Sequence, residues 1–315
     1  MTPKHFIIIL LSISNYCFGQ AHISGNIKNY NNKKVTVVYN SDGILFGKFT
    51  KIKTKTNEYG DFWVNADYLF NIGTYNWIKI GKSYIYFCLS PSDSLKIVFD
   101  PKKPDSIEFF GKNAMRSYYC NDHYQYLHKR RNTLRNFPLS DITVEKKKND
   151  LIYDLAMLEK KNKEYSLDST FYNYMKEYLK YSHINSLLNA KLDTTSYFIE
   201  ILKEVDLQNE ILKNNGVYIS IMDAYYKNFL GFRWRGWDSV EGLQEGLLKS
   251  NELNIKPFSD IYSAFMISYF IFMNNKNNII KSSEFKEVLT DFLNSCSDSI
   301  VKREFEALLH INNLN

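Results

Sequence analysis

The chain has 315 residues, of which 44% are hydrophobic and 23% are charged. These proportions allow one large or two medium folded domains, and they exclude an intrinsically disordered chain. The formal net charge is +6 and no strongly basic domain stands out, so we do not expect a nucleic-acid-binding protein.

Residues 1–20 have the three-part pattern of a secretory signal peptide. Lys4 lies in a short positive region, residues 6–13 (FIIILLSI) are apolar, and Gly19 and Ala21 are small residues at the expected cleavage position. The apolar run is too short for a transmembrane helix, which needs roughly 20 residues. The alternative is a buried N-terminal strand. We expect an exported protein, periplasmic or associated with the outer membrane, with no transmembrane span in the mature chain.

The cysteines bear on anchoring and on redox state. A lipoprotein signal requires a small residue before its cysteine, and Tyr16 precedes Cys17, so we do not expect lipidation. The mature chain keeps Cys88, Cys120 and Cys296, with no CxxC, and three cysteines cannot all pair within one chain. We interpret them as buried free thiols. Export also allows a disulfide between Cys88 and Cys120.

Residues 21–111 alternate short extended runs with turn signals such as SDG at 41–43 and GKS at 81–83. Runs of this length, rich in β-branched and aromatic residues and separated by turns, predict an antiparallel β-sandwich or open barrel. The predicted strands are residues 22–28, 33–39, 44–56, 61–65, 74–80, 84–89, 95–99 and 106–110.

Three lysines alternate with smaller or apolar residues in the third of these strands. Lys51, Lys53 and Lys55 share one face, because side chains along a strand alternate between its two faces. We interpret this face as solvated, in preference to an anion-binding site.

After Gly111 the hydrophobic period becomes helical. We predict an α+β protein in which an antiparallel β-sandwich domain (21–111) follows the signal peptide (1–20) and precedes an all-α domain (112–315). Asp168 is a predicted N-cap, and the segment after Pro257 is apolar nearly all round, which is typical of a core helix. The predicted helices are residues 113–135, 141–158, 168–188, 196–205, 209–229, 257–272, 283–294 and 299–309.

Motifs for catalysis or for cofactor binding are absent from the sequence. His123 and His128 lie five residues apart on a predicted helix, whereas helical metal pairs prefer four with a third ligand, so we predict no metal site. Nucleophile and nucleotide fingerprints are also missing. We therefore predict no catalytic residue and no cofactor.

The segment 232–237 (FRWRGW) alternates arginine and tryptophan beside a glycine. Arg233, Trp234, Arg235 and Trp237 could bind a glycan or a peptide through stacking and cation–π contacts. The alternative is a loop whose tryptophans anchor it on the helical core while its arginines are exposed.

Three short motifs resemble those of a known family. A GDF strand start at 60–62, PSDS at 91–94 and FGKNA at 110–114 resemble the N-terminal region of exported thioredoxin-like (TlpA/ResA-type) proteins of Bacteroidetes. In that family a small β-sandwich module of the DUF4369 type and a helical segment precede a thioredoxin-fold domain. The resemblance implies that a catalytic domain would begin near residue 285, but the chain has no CxxC.

Three functional hypotheses follow from these observations. The first is a non-catalytic binding or scaffold protein at the cell envelope, related to the accessory regions of that family, with an envelope protein, a glycan or a peptide as partner. The second is a thiol-disulfide oxidoreductase that is represented only in part or depends on a separate partner. The third is a glycan- or peptide-binding accessory protein that uses the segment 232–237.

Overall fold

The chain combines strands in its N-terminal part with helices in the rest, as predicted. The computed structural model describes residues 20–42, 48–67, 73–90, 92–134, 143–206, 209, 212, 216–229, 239–252, 258–274 and 278–311. The predicted signal peptide, Cys17 and the segment 232–237 therefore lie outside the described residues, except for Gln20.

The strands lie close to their predicted positions. Each one falls on a run of alternating or β-branched residues bounded by turns, as the period of two requires. The strands are β1 Gln20–Ile27, β2 Lys34–Asp42, β3 Lys48–Lys55, β4 Asp61–Asp67, β5 Gly73–Ile80, β6 Ser83–Leu89, β7 Ser94–Asp100 and β8 Lys103–Phe110.

The strands form two four-stranded sheets, and one of the pairings corrects the prediction. The first sheet has the order β4-β1-β7-β8, and the second has the order β3-β2-β5-β6. We predicted antiparallel sheets, but β1 pairs with β7 in parallel, so the first sheet is mixed. A parallel pair needs a long connection, and here β2 to β6 lie between the two partners in the chain. We call residues 20–110 the two-sheet module.

One hydrophobic core contains residues from both sheets. Alternate side chains of most strands are buried in it, as a sheet with one face against the core requires. From the first sheet it takes residues such as Ile23, Ile97 and Phe99, and from the second sheet residues such as Val37 and Phe87. The outer faces of the two sheets carry mostly polar and charged residues.

The first helix, α1 (Ala114–Leu134), covers the edge of the second sheet. Its polar side chains bond the free backbone groups of β6. The Cys88 N–H donates to Ser117 Oγ (3.2 Å), and the Ser117 hydroxyl donates to the Cys88 carbonyl (3.3 Å). The Tyr86 N–H donates to Asn121 Oδ1 (3.1 Å), and Gln125 Nε2 donates to the Tyr84 carbonyl (2.6 Å).

The spacing of these hydrogen bonds follows from the rise per residue of the helix and of the strand. The helix residues are four apart and rise about 6 Å at each step. The strand residues are two apart and rise about 7 Å. Because the two steps are nearly equal, one helix face supplies a partner at every second strand residue. The edge strand β6 is thus paired with β5 on one side and with side chains of α1 on the other.

The same helix contacts the first sheet, and other helical residues join this compact unit. Tyr118 OH accepts a hydrogen bond from the N–H of Phe109 in the edge strand β8 (3.1 Å). Residues 159–171 belong to the same unit as the sheets and α1. Within them, Asp168 binds Arg116 (2.7 Å). The compact unit around the sheets therefore extends beyond Gly111.

Two of the motifs that carry the family resemblance, PSDS and FGKNA, contact each other. Asn113 Nδ2 donates to Asp93 Oδ1 (2.6 Å), while the other carboxylate oxygen accepts from the Ser90 N–H (2.7 Å). Gly111 has φ +126, and a Cβ there would lie 2.2 Å from the Ser94 carbonyl oxygen, so only glycine fits. Burial raises the pKa of Asp93 against the opposing effect of these hydrogen bonds. Together these contacts fix the start of α1 beside the start of β7.

The predicted helices are present within the described residues, with shifted ends. Asp168 caps its helix as predicted, since its Oδ1 accepts from the Phe171 N–H (3.0 Å). The helices after α1 are α2 Val144–Tyr165, α3 Ser169–Asn189, α4 Ser196–Lys203, α5 Gly216–Phe229, α6 Val240–Glu252, α7 Phe258–Asn274, α8 Ser283–Ser295 and α9 Ser299–Ile311. The helix α6 was not predicted, because Gly242 and Gly246 weaken the helical pattern.

The predicted core helix α7 is central to the second compact unit. It contacts α5, α6, α8 and α9, and residues such as Ile267 and Phe270 are fully buried. Its buried Asp260 accepts hydrogen bonds from the Ser297 N–H (2.8 Å), the Ser297 hydroxyl (2.6 Å) and the Asp298 N–H (3.1 Å). These bonds fix the turn before α9. No described helix has the length and apolar character needed to cross a membrane.

The hydrogen bonds from α1 to β6 predict that substitutions along α1 destabilise the protein to different degrees. Ser117→Ala leaves a buried N–H and a buried carbonyl without partners, and we expect the free energy of unfolding to fall by about 1–3 kcal/mol. Gln125→Ala removes an exposed bond, and we expect a loss below about 0.5 kcal/mol. Equilibrium urea unfolding measures both variants. Equal losses at the two positions would contradict the edge-capping role of Ser117.

Burial of His123 predicts an acid-sensitive step in stability. The ring is 6% exposed and its Nε2 has no hydrogen-bond partner in the described structure. Burial lowers the pKa of His123 to about 4. Because the unfolded chain binds a proton below about pH 6.5 and the folded chain does not, stability falls as the pH drops from about 6.5 to 4, by on the order of 3 kcal/mol.

The matched variant for this step is His123→Phe, which keeps an aromatic ring beside Tyr119 and removes the titrating group. Urea unfolding at several pH values should show that the variant loses less stability than the wild type between pH 6.5 and 4. Burial also lowers the pKa of His183, so the difference between the two proteins is the informative quantity. Parallel pH profiles would refute this role for His123.

Candidate ligand-binding groove

A groove lies on the outer face of the second sheet and has a volume of about 770 Å³. It is lined by residues from β2, β3, β5, β6, the adjoining turns and α1. These lining residues are Tyr30, Lys34, Thr36, Val38, Lys51, Lys53, Trp77, Lys79, Gly81, Tyr84, Tyr86 and His128.

The strand register arranges these side chains in rows across the sheet. In one row, Val38 pairs with Lys51 on one side and Trp77 on the other, and Trp77 pairs with Tyr86. In the next row, the order is Lys53, Thr36, Lys79 and Tyr84. Each row therefore begins with a lysine at β3 and ends with a tyrosine at β6.

The floor of the groove is positively charged. Lys34, Lys51, Lys53 and Lys79 are exposed, and no acidic residue is among the described residues that line the groove. Lys34 also lies directly opposite Lys55 across β2 and β3. Like charges placed opposite each other destabilise a sheet, so this arrangement has a cost that an anion bound in the groove would offset.

The aromatic residues complete the chemistry of the groove. Lys79 Nζ lies 5.4 Å from the centre of the Tyr84 ring, within the range of a cation–π contact. Trp77 of the first row is half-buried, and Tyr86 packs at 5.5 Å against Tyr124 of α1. A ring-containing ligand with anionic groups would find apolar faces and ammonium groups side by side here.

The predicted site residues are only partly brought together. Arg233, Trp234, Arg235 and Trp237 lie outside the described residues, so the use of this segment stays a prediction. Among the described residues no group of three or more His, Cys, Asp or Glu could hold a metal ion. His123 and His128 have different environments, since His123 is buried against Tyr119 while His128 lines the groove.

The structure brings the two predicted cysteines together. Cys88 of β6 and Cys120 of α1 are both buried free thiols, and they are neighbours across the contact of α1 with β6. Burial, and then the neighbouring Cys88, raise the pKa of Cys120 well above its usual value. Cys296 is also a buried free thiol and lies at the end of α8, in the other compact unit.

The groove was not predicted from the sequence, although its lysines on β3 are visible there. The alternation along β3 predicts that Lys51 and Lys53 lie on a solvated face, and both are exposed. The sequence signal for the groove was the same two-residue spacing on two other strands, with Trp77 and Lys79 on β5 and Tyr84 and Tyr86 on β6. These strands are separated from β3 in the chain. Only the register shows that these residues share one face with the lysines of β3.

Comparison of the chain with protein-family models, with curated proteins and with solved structures gives no significant match.

The opposed lysines predict a stabilising substitution. Lys55→Glu places a carboxylate opposite Lys34, and we expect the free energy of unfolding to rise by about 0.2–1 kcal/mol, measured by urea unfolding at low salt. The matched control is Lys96→Glu on the outer face of the first sheet, where the cross-strand neighbours are Ser24 and Phe110. An equal gain in the control would show that the opposed pair has no special effect.

Proposed function

We propose that this protein is an exported, non-catalytic binding protein of the cell envelope that holds an acidic glycan in the groove on its second sheet. The observation that carries the proposal is a set of lysines beside aromatic rings on one face of the second sheet, with no acidic residue among the described residues that line the groove. The signal-peptide pattern supports export, and the PSDS and FGKNA motifs support a relationship to the accessory regions of exported thioredoxin-like proteins. On that proposal the two-sheet module is a β-sandwich of the DUF4369 type.

The groove favours a ligand that is recognised through side chains. A peptide often binds by adding a strand to a sheet edge. A peptide cannot add to the edge strand β6 in this way, because Ser117, Asn121 and Gln125 already bond its outward backbone groups. Sugar rings that carry carboxylates match the remaining chemistry, since they stack on aromatic faces and bind ammonium groups.

A nucleic acid is a weaker match for the same groove. Its cations are lysines, and no arginine is among the described residues that line it. Arginine is the residue that pairs with phosphates in a bidentate manner, and nucleic-acid-binding domains usually carry a stronger basic charge than the +6 of this chain.

Thiol-disulfide exchange is the second functional hypothesis, and the described cysteines favour it less. A catalytic cysteine needs a lowered pKa and an accessible sulfur. Cys88, Cys120 and Cys296 are all buried, and the pKa of Cys120 is raised. We therefore place binding ahead of redox catalysis. Glycan or peptide binding by the segment 232–237 remains a separate prediction.

The binding test uses an oligomer of galacturonic acid as the probe and isothermal titration calorimetry as the measurement. We expect binding that weakens as salt rises, because the contacts are between exposed charges. Lys51→Gln combined with Lys53→Gln should weaken binding about tenfold, since each exposed ion pair contributes up to about 1 kcal/mol. Trp77→Ala should weaken it further by removing the stacking face.

Controls separate the ligand classes. A neutral dextran oligomer should not bind, and Lys96→Gln on the first sheet should bind the acidic probe as the wild type does. Poly-L-glutamate and single-stranded DNA are the competing polyanions. Tighter binding of either one than of the acidic glycan would overturn the proposed ligand class, and unchanged binding by the Lys51 and Lys53 double variant would overturn the groove as the site.

A further inference from the structure

We propose that Cys88 and Cys120 form a disulfide while the chain folds and so link α1 covalently to the edge strand β6. The two residues come from different elements, and 31 residues lie between them in the sequence. Cys88 is 1% exposed and Cys120 is 0% exposed. The two residues are neighbours across the contact of α1 with β6, where the next pair along it, Tyr86 and Tyr124, packs ring against ring at 5.5 Å.

The hydrogen bonds between α1 and β6 fix this contact. Ser117 bonds both the N–H and the carbonyl of Cys88, at 3.2 and 3.3 Å. Cys120 follows Ser117 by three residues and therefore lies on the same side of the helix, one turn further along. Because the Asn121 bond to Tyr86 holds the next turn, the helix cannot slide or rotate without breaking several buried bonds. The two sulfurs are thus positioned by groups other than themselves.

The reaction is a thiol–disulfide exchange with a small disulfide or an oxidoreductase disulfide as the oxidant. The thiolate of one cysteine attacks the disulfide of the oxidant. A mixed disulfide forms between this cysteine and one half of the oxidant, and the other half is released as a thiol. The thiolate of the second cysteine then attacks the protein sulfur of that mixed disulfide and releases the second thiol. The protein dithiol loses two electrons and two protons, and the oxidant is reduced to two thiols.

The timing of the reaction follows from burial. In the folded protein neither sulfur is accessible to an oxidant, and the raised pKa of Cys120 disfavours its thiolate. The exchange therefore occurs in the unfolded or partly folded chain, before α1 covers β6. Once formed, the disulfide is protected from reductants by the same burial. It acts as a permanent link between α1 and β6, in contrast to the reversible dithiol of a reductase.

The link has a consequence for the edge of the second sheet. A disulfide closes the segment between Cys88 and Cys120 and reduces the conformational freedom of the unfolded chain. It also keeps Ser117 and Asn121 beside their partners on β6. We therefore expect slower hydrogen exchange at the amides of Tyr86 and Cys88 in the oxidised protein than in the reduced protein.

The experiment compares two routes to oxidation of the full chain. In the first, reduced and denatured protein is refolded in a mixture of oxidised and reduced glutathione. In the second, folded reduced protein is held in the same mixture for the same time. Non-reducing peptide mass spectrometry then identifies linked peptides. We expect a Cys88–Cys120 peptide in the refolded sample and free Cys88 and Cys120 in the folded sample.

Matched variants and stability measurements complete the test. Cys296→Ser should leave the linked peptide in place, whereas Cys120→Ser should abolish it. The refolded oxidised protein should melt on the order of 5 °C above the same protein after denaturation, reduction and refolding. Free Cys88 and Cys120 after oxidative refolding would overturn the disulfide, and equally fast linkage in the folded sample would overturn its formation during folding.

Discussion

The match between one helix face and one strand edge is the constraint on which the two-sheet module depends. An edge strand presents unpaired backbone groups that would otherwise bond water or another chain. Here, residues four apart on α1 meet residues two apart on β6, because a helical turn and two strand residues span nearly the same distance. Ser117 makes the buried part of this contact with Cys88, and Gln125 makes the exposed part with Tyr84.

Several other features follow from that contact. It brings Cys120 beside Cys88, and it places His128 at the side of the groove on the second sheet. It also requires the helix to start at a defined point, which the Asp93–Asn113 bond and the close approach of Gly111 to Ser94 provide. Two of the motifs that carry the family resemblance, PSDS and FGKNA, thus contain the residues that fix where α1 begins.

The outer face of the second sheet shows a conflict between stability and surface chemistry. Alternation along β3 and β5 places Lys53 and Lys79 on the same face, with Thr36 between them, and Lys55 opposite Lys34. A sheet selected only for stability would intersperse acidic residues among these lysines. Their concentration beside Trp77 and Tyr84 is the physical basis of the proposal that this face binds an anionic ligand.

The sequence by itself determined the local elements, because the hydrophobic period is a property of residues close together in the chain. It predicted the strands and most of the helices, the Asp168 cap and the core helix α7. It missed α6, where Gly242 and Gly246 weaken the pattern, and it predicted antiparallel sheets, whereas β1 pairs with β4 in antiparallel and with β7 in parallel. Only the tertiary structure decided the pairing of β1 with β7, the placement of Cys120 beside Cys88, and the row that joins Lys51 to Trp77. These contacts join residues far apart in the chain, and they depend on register and on packing of α1 against β6, neither of which leaves a periodic signal in the sequence.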